Sequence, residues 1–138
     1  MSSSRMSRQR IQFLTLSYFT DAEQLSGTWK GSFGCGSDVI NIELELVNRD
    51  SFTTLTGQLK VQGYQLVVRG TFASYFKAAT LMSEPANLKL AGGRSVSVIE
   101  LNGDLETPVY IEGVALLTSS NTKEICNLTL RRESSKFG

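Results

Sequence analysis

Hydrophobic and polar positions alternate along most of this chain from Thr28 onward. A period of two is what a β-strand needs to bury one face and wet the other. The clearest stretch runs from Asp38 to Val47, where Ile40, Ile42, Leu44 and Leu46 fall on one face and Asn41, Glu43 and Glu45 on the other. Asn48-Arg49-Asp50-Ser51 has the composition of a turn, after which Leu55, Gly57, Leu59 and Val61 repeat the alternation up to Gly63. Tyr64, Leu66, Val68, Gly70 and Phe72 continue it, so the first strands are expected to form a meander of hairpins. Residues 73–82 do not choose between strand and loop. Ser83-Glu84-Pro85-Ala86 then breaks the pattern, because proline has no amide to donate to a ladder and biases its predecessor away from helix.

The second half resumes with Asn87 to Leu90, a turn at Gly92-Gly93 and a strand from Ser95 to Leu101. Asn102-Gly103 carries the strongest local hairpin signal, since a tight type I′ turn needs positive φ at both central positions. Val109 to Leu117 and Ile125 to Arg131 complete the set, separated by the polar loop Thr118 to Glu124. About eight strands joined by short turns predict an all-β fold, a single antiparallel meander barrel, because an open sheet would leave edges exposed. Ahead of it, Thr20-Asp21-Ala22-Glu23 has capping-box spacing and predicts one short helical turn, stopped by Gly27. The expected organisation is an arm over 1–19, a barrel over 20–133 and a tail over 134–138.

The first and last strands carry matched spacings. Trp29, Gly31, Phe33 and Cys35 share one face, as do Cys126, Leu128, Leu130 and Arg132. Trp29 precedes Cys35 by six residues and Arg132 follows Cys126 by six. Antiparallel closure would therefore bring Cys35 to Cys126 at one end and Arg132 to Trp29 at the other, as structural residues. A guanidinium over an indole contributes about 0.5–2 kcal/mol. Closure also gathers both chain ends at the Trp29 pole. That pole is the expected partner-binding surface, comprising Arg5, Arg8, Arg10, Phe13, Tyr18 and Phe19 of the arm with Arg131 and Arg132. The competing reading is an arm that folds back to plug the barrel mouth.

Composition narrows the chemistry. At 138 residues the chain suits one domain. No apolar run is long enough for a membrane helix, so no membrane association is expected. Ile11 to Phe19 lies behind Arg5, Arg8 and Arg10, but Gln12, Thr15 and Ser17 interrupt it and no small-residue cleavage site follows. The expected location is cytoplasmic or otherwise intracellular. A reducing compartment is then the default, which favours reduced or variable cysteines at Cys35 and Cys126 over the other reading, a disulfide that seals the barrel.

The sequence has no histidine, which removes Ser-His and Cys-His catalysis and histidine metal sites. Glu43 and Glu45 share a wet face rather than a pocket, and Gly92-Gly93 and Gly34-Cys35-Gly36 lack the following helix of a phosphate loop. No enzymatic activity, metal or cofactor is expected. Asn127-Leu128-Thr129 fits the glycosylation acceptor pattern, but inside a predicted strand of an intracellular chain it reads as chance.

Leu25-Ser26-Gly27-Thr28-Trp29 resembles the opening of the calycin barrels, whose first strand carries Gly-x-Trp after a short N-terminal turn. Within that group the chain is most similar to the avidins, through this start and the later Leu55-Thr56-Gly57. An arginine ending the last strand and packing on that tryptophan is a calycin habit, which Arg131 or Arg132 matches. Avidin-type pockets use several tryptophans and this chain has one, so the resemblance does not extend to biotin. The fatty-acid-binding branch also opens with Gly-Thr-Trp-Lys but needs a helix-turn-helix lid, for which no sequence follows Trp29. Gly27, Trp29, Gly31 and Cys35, with Cys126, Leu130 and Arg132, also resemble small bacterial β modules of no settled activity.

These features lead to a non-enzymatic structural or interaction module that docks into a larger assembly through its basic arm, with other protein subunits or copies of itself as partners. The alternative is a carrier of a small apolar ligand inside the barrel. A third reading is nucleic-acid contact through the arm, which would weaken steeply with salt.

Overall fold

The computed structural model describes residues 25–47, 54–73 and 75–133. The chain forms β1 (Gly27–Cys35), β2 (Asp38–Val47), β3 (Thr54–Val61), β4 (Tyr64–Ala73), β5 (Ala78–Ser83), β6 (Leu88–Leu90), β7 (Arg94–Val96), β8 (Val98–Thr107), β9 (Tyr110–Thr118) and β10 (Lys123–Arg132). Eight of these close an antiparallel barrel in the order β1-β10-β9-β8-β5-β4-β3-β2, and β6 and β7 pair separately. Closure leaves none of the eight barrel strands with a free edge. The one helical element among the described residues is a 3-10 turn at Ala91–Gly93. The helical turn expected at Thr20 to Glu23 lies outside the described residues.

The alternation read from the sequence becomes the inside and outside of the barrel. Ile40, Ile42, Leu44 and Leu46 of β2 are buried, and the same parity buries Leu55, Leu59 and Val61 of β3 and Leu66, Val68 and Phe72 of β4. Trp29, Phe33 and Phe72 are the largest fully buried side chains. The stretch that did not choose between strand and loop yields β5, with Ala79 and Leu81 inward. Ser83 ends it as a buried polar residue, satisfied because its hydroxyl accepts the Ile99 amide at 2.9 Å.

Inward glycines mark where strands approach closest. A Cβ on Gly70 would lie 1.7 Å from the Thr80 carbonyl oxygen.

Two expectations need correction. Asn102-Gly103 is no turn: β8 runs straight through it, Gly103 pairs with Gly113, and the chain reverses at Pro108-Val109 instead. Gly103 faces the core, where a Cβ would come within 2.5 Å of the Ile111 methyl, so the glycine serves packing rather than a positive φ. The tight turn with positive φ at both central residues is Gln62-Gly63, at 46° and 88°. The stretches expected as strands at Asn87 to Leu90 and Ser95 to Leu101 do form strands, but the first and the start of the second stand apart from the wall, which the chain rejoins at Val98 as β8. Residues 84–97 leave the wall between β5 and β8, and the β6/β7 hairpin they form buries Leu88, Leu90 and Val96.

Up-and-down topology gives the barrel two rims. β1 starts and β10 ends at the Trp29 rim, with the β4–β5 and β8–β9 turns. The opposite rim holds Cys35, Cys126, the β1–β2, β3–β4 and β9–β10 turns and the β6/β7 hairpin.

Candidate functional site

At the Trp29 rim, β1 and β10 pair with Trp29 opposite Arg132 and Phe33 opposite Leu128, the register the matched spacings require. Trp29 is fully buried, and its indole N–H donates to the Leu25 carbonyl at 2.9 Å. The Arg132 guanidinium lies 4.6 Å from the indole centroid, and its Nη1 donates to the Ser26 carbonyl at 2.8 Å. Partial burial removes water from this charge and lowers its pKa below the usual arginine value. Among the described residues its Nη2 is buried without a hydrogen-bond partner. Arg131, of opposite parity, faces outward over the Tyr110 ring at 4.9 Å.

Across the same rim from this lock stands a feature the sequence reading missed. The β4–β5 turn projects Tyr75 and Phe76, 76% and 72% exposed, with their rings edge to face at 5.0 Å. The turn is built by Phe76 N–H donating to the Ala73 carbonyl and by Lys77 in the left-handed region at φ 56°. The Lys77 carbonyl accepts the Leu105 amide, which ties the turn to β8. Exposed Val109 stands on the β8–β9 turn of the same rim. The arm residues Arg5, Arg8, Arg10, Phe13, Tyr18 and Phe19 lie outside the described residues. Of the expected partner-binding set, the structure therefore places Arg131 on the outer wall and Arg132 in the lock.

At the other rim the favoured reading of reduced or variable cysteines is corrected: Cys35 and Cys126 form a disulfide with a Cα separation of 4.7 Å. Directly opposed residues on neighbouring antiparallel strands are close enough to bridge, and closure of β1 on β10 creates that opposition.

Arg94 of β7 sits over this end with 16% of its side chain exposed. Its Nε donates to Glu124 at 2.8 Å, its Nη1 to Asp38 at 2.7 Å and its Nη2 to the Cys35 carbonyl at 2.9 Å. The hydrogen bonds to Glu124 and then to Asp38 raise the Arg94 pKa far above its usual value, and the bond from Arg94 holds the Glu124 carboxyl below its own. Gly92, at φ 78°, leaves room for the guanidinium, since a Cβ there would lie 2.2 Å from the Arg94 Nη1. The hairpin is fastened further by the Lys89 amide to the Tyr64 hydroxyl and the Ala91 amide to the Gln62 side chain. Cys35, Glu124 and Cys126 offer ligand atoms within 4.8 Å of one another, but the sulfurs are bonded together and Glu124 is held by Arg94.

Open grooves lie on the outside of the wall. One of about 470 Å³ is flanked by Lys30, Asn41, Glu43, Lys60 and Gln65, and one of about 630 Å³ by Glu45, Val47, Gln58, Val67 and Arg69. No helix among the described residues is long and apolar enough to cross a membrane. No protein-family model matches this chain, and no curated protein matches it. The eight-stranded antiparallel barrel agrees with the architecture the calycin resemblance implies, while the likeness to the avidins rests on the quoted residues alone.

Proposed function

We propose that this chain is a non-enzymatic β-barrel module that docks into a larger assembly of protein subunits through its Trp29 rim and the basic arm that leads into it. The observation that carries the reading is the Tyr75-Phe76 pair, two large aromatic side chains held out from a turn on the rim where β1 begins. Rigid aromatics offered to solvent are the residues that most often anchor protein interfaces. The absence of histidine and the use of Arg94, Asp38 and Glu124 in one structural network fit a module without catalysis. The carrier reading has less support, because Trp29, Phe33, Phe72 and Leu128 occupy the interior where a ligand of that kind would sit.

Native mass spectrometry of the full chain with its co-purifying subunits tests the proposal. The expected result is an assembly of more than one chain whose affinity falls at least about tenfold when Tyr75→Ser and Phe76→Ser are combined. The single tryptophan verifies in the same sample that the barrel is intact. A chain that stays monomeric with every co-purifying fraction sinks the reading. Nucleic acid lost steeply with salt would move it to the third alternative.

A further inference from the structure

We propose that Asn127 is a site of N-linked glycosylation. The acceptor pattern Asn127-Leu128-Thr129 lies on β10, where alternation turns Asn127 and Thr129 outward and buries Leu128 at 1% exposure. Two objections attach to a pattern of this kind inside a strand: the asparagine could be buried, and the chain could fold in a reducing compartment. Here the asparagine is exposed on the outer wall. Its immediate neighbour Cys126 is bonded to Cys35, and such bonds persist in the oxidising compartments where this modification is made.

The surface around the side chain has both room and a reason for a sugar. Gly34 stands opposite Asn127 on β1, and a Cβ placed there would meet nothing within 4 Å. Beyond Gly34 the next position across is Val39, and Ile125 shares the outer face two residues before Asn127. Val39 and Ile125 are each 67% exposed, among the most open aliphatic side chains of the barrel wall. The outward neighbours Ser32, Val114 and Thr129 carry no charge, and Glu112, opposite Thr129, borders the strip on the Trp29 side. A first sugar attached at Asn127 would lay an apolar ring face over this strip and shield it from water. The position lies toward the disulfide end, so the modification is independent of docking through the Trp29 rim.

The donor class is a lipid-linked pyrophosphoryl oligosaccharide. The Asn127 amide nitrogen bonds to the anomeric carbon of the first sugar, and the bond from that carbon to the pyrophosphate oxygen breaks. The lipid pyrophosphate leaves with the electron pair, and the amide proton passes to a base of the transferase.

The test uses the full chain isolated from the cells that make it. After reduction, alkylation and tryptic cleavage at Lys123 and Arg131, the peptide spanning residues 124–131 is quantified before and after glycan release by an amidase in heavy-oxygen water. The expected result is that this peptide is missing at its plain mass and emerges after release with the Asn127 side chain converted to a carboxylate bearing the heavy oxygen. Thr129→Ala is expected to restore the plain peptide and Thr129→Ser to keep the modification, with buried-tryptophan emission showing that both variants fold. Full recovery of plain Asn127 peptide before release overturns the proposal, as does a glycan that persists in Thr129→Ala.

Discussion

Arg132 sits at the barrel end where β1 begins, against a tryptophan that is fully buried. Its guanidinium carbon lies 4.6 Å from the indole centroid of Trp29 while Nη1 donates to the Ser26 carbonyl, so one side chain covers the tryptophan and satisfies the segment leading into β1. Truncation removes a partly desolvated cation-π contact together with a charge-assisted hydrogen bond, and Arg132→Ala is expected to destabilise the barrel by about 1–3 kcal/mol. Arg132→Lys should recover less than half of that, because an ammonium lacks the flat fork that stacks and donates at once. Urea unfolding followed by Trp29 emission checks both, and equal stability of the alanine variant would refute the lock. This pairing was legible because the parity of β1 and β10 and two equal spacings fix it, which also selects Arg132 over Arg131. Asn102-Gly103 was misread for the opposite reason: the local turn rule took no account of Ile111, a neighbour from the next strand that excludes any Cβ at Gly103. Tyr75 and Phe76 carried no periodic signal at all, since a turn tip is set by the strands either side of it.

At the scale of an element, the β6/β7 hairpin is a cap latched by one arginine. Its apolar residues Leu88, Leu90 and Val96 are buried, but three residues per strand cannot hold a two-stranded ribbon in water without tethers. Arg94 supplies them to Asp38 and Glu124, 56 and 30 positions away, and to the Cys35 carbonyl 59 positions away. Such separations leave no trace in local pattern, which is why the sequence yielded the Gly92-Gly93 turn but not the latch. The folded Glu124 carboxyl titrates below its ordinary value of 4.5. Its contribution is therefore complete above that pH and is lost as pH falls through the lowered folded value. Amide hydrogen exchange at Lys89 and Ala91 is expected to lose protection as pH falls below 4.5, after correction for intrinsic rates, while the β2 and β4 amides keep theirs. Glu124→Gln should lower the protection at neutral pH and remove the step. A Glu124→Gln profile superimposing on the wild type would show that the latch carries nothing.

For the molecule as a whole, the decisive contact is also the most distant one, because the barrel is finished only when β1 meets β10 across nearly the entire described chain. Closing so long a loop costs the unfolded chain entropy that hairpins between neighbouring strands do not spend. Two devices hold the closure, one at each rim: the Arg132–Trp29 stack and the Cys35–Cys126 bond, which spans 91 positions. The bond acts chiefly by restricting the unfolded state, by about 4 kcal/mol for a loop of this length in the chain-entropy picture. Reduction is therefore expected to leave the barrel folded at 25 °C, with Trp29 still buried, because ladder pairing and core remain. It should lower the free energy of unfolding by about 2–4 kcal/mol, read from urea midpoints with and without a phosphine reductant. Cys35→Ser combined with Cys126→Ser should reproduce the loss and remove any further effect of reductant. The slope of the urea transition is expected to rise on reduction, since an unbridged chain exposes more surface when it unfolds. An unchanged midpoint would mean that the pairing of β1 with β10 already persists in the denatured chain, and the two rims would then not share the work of closure.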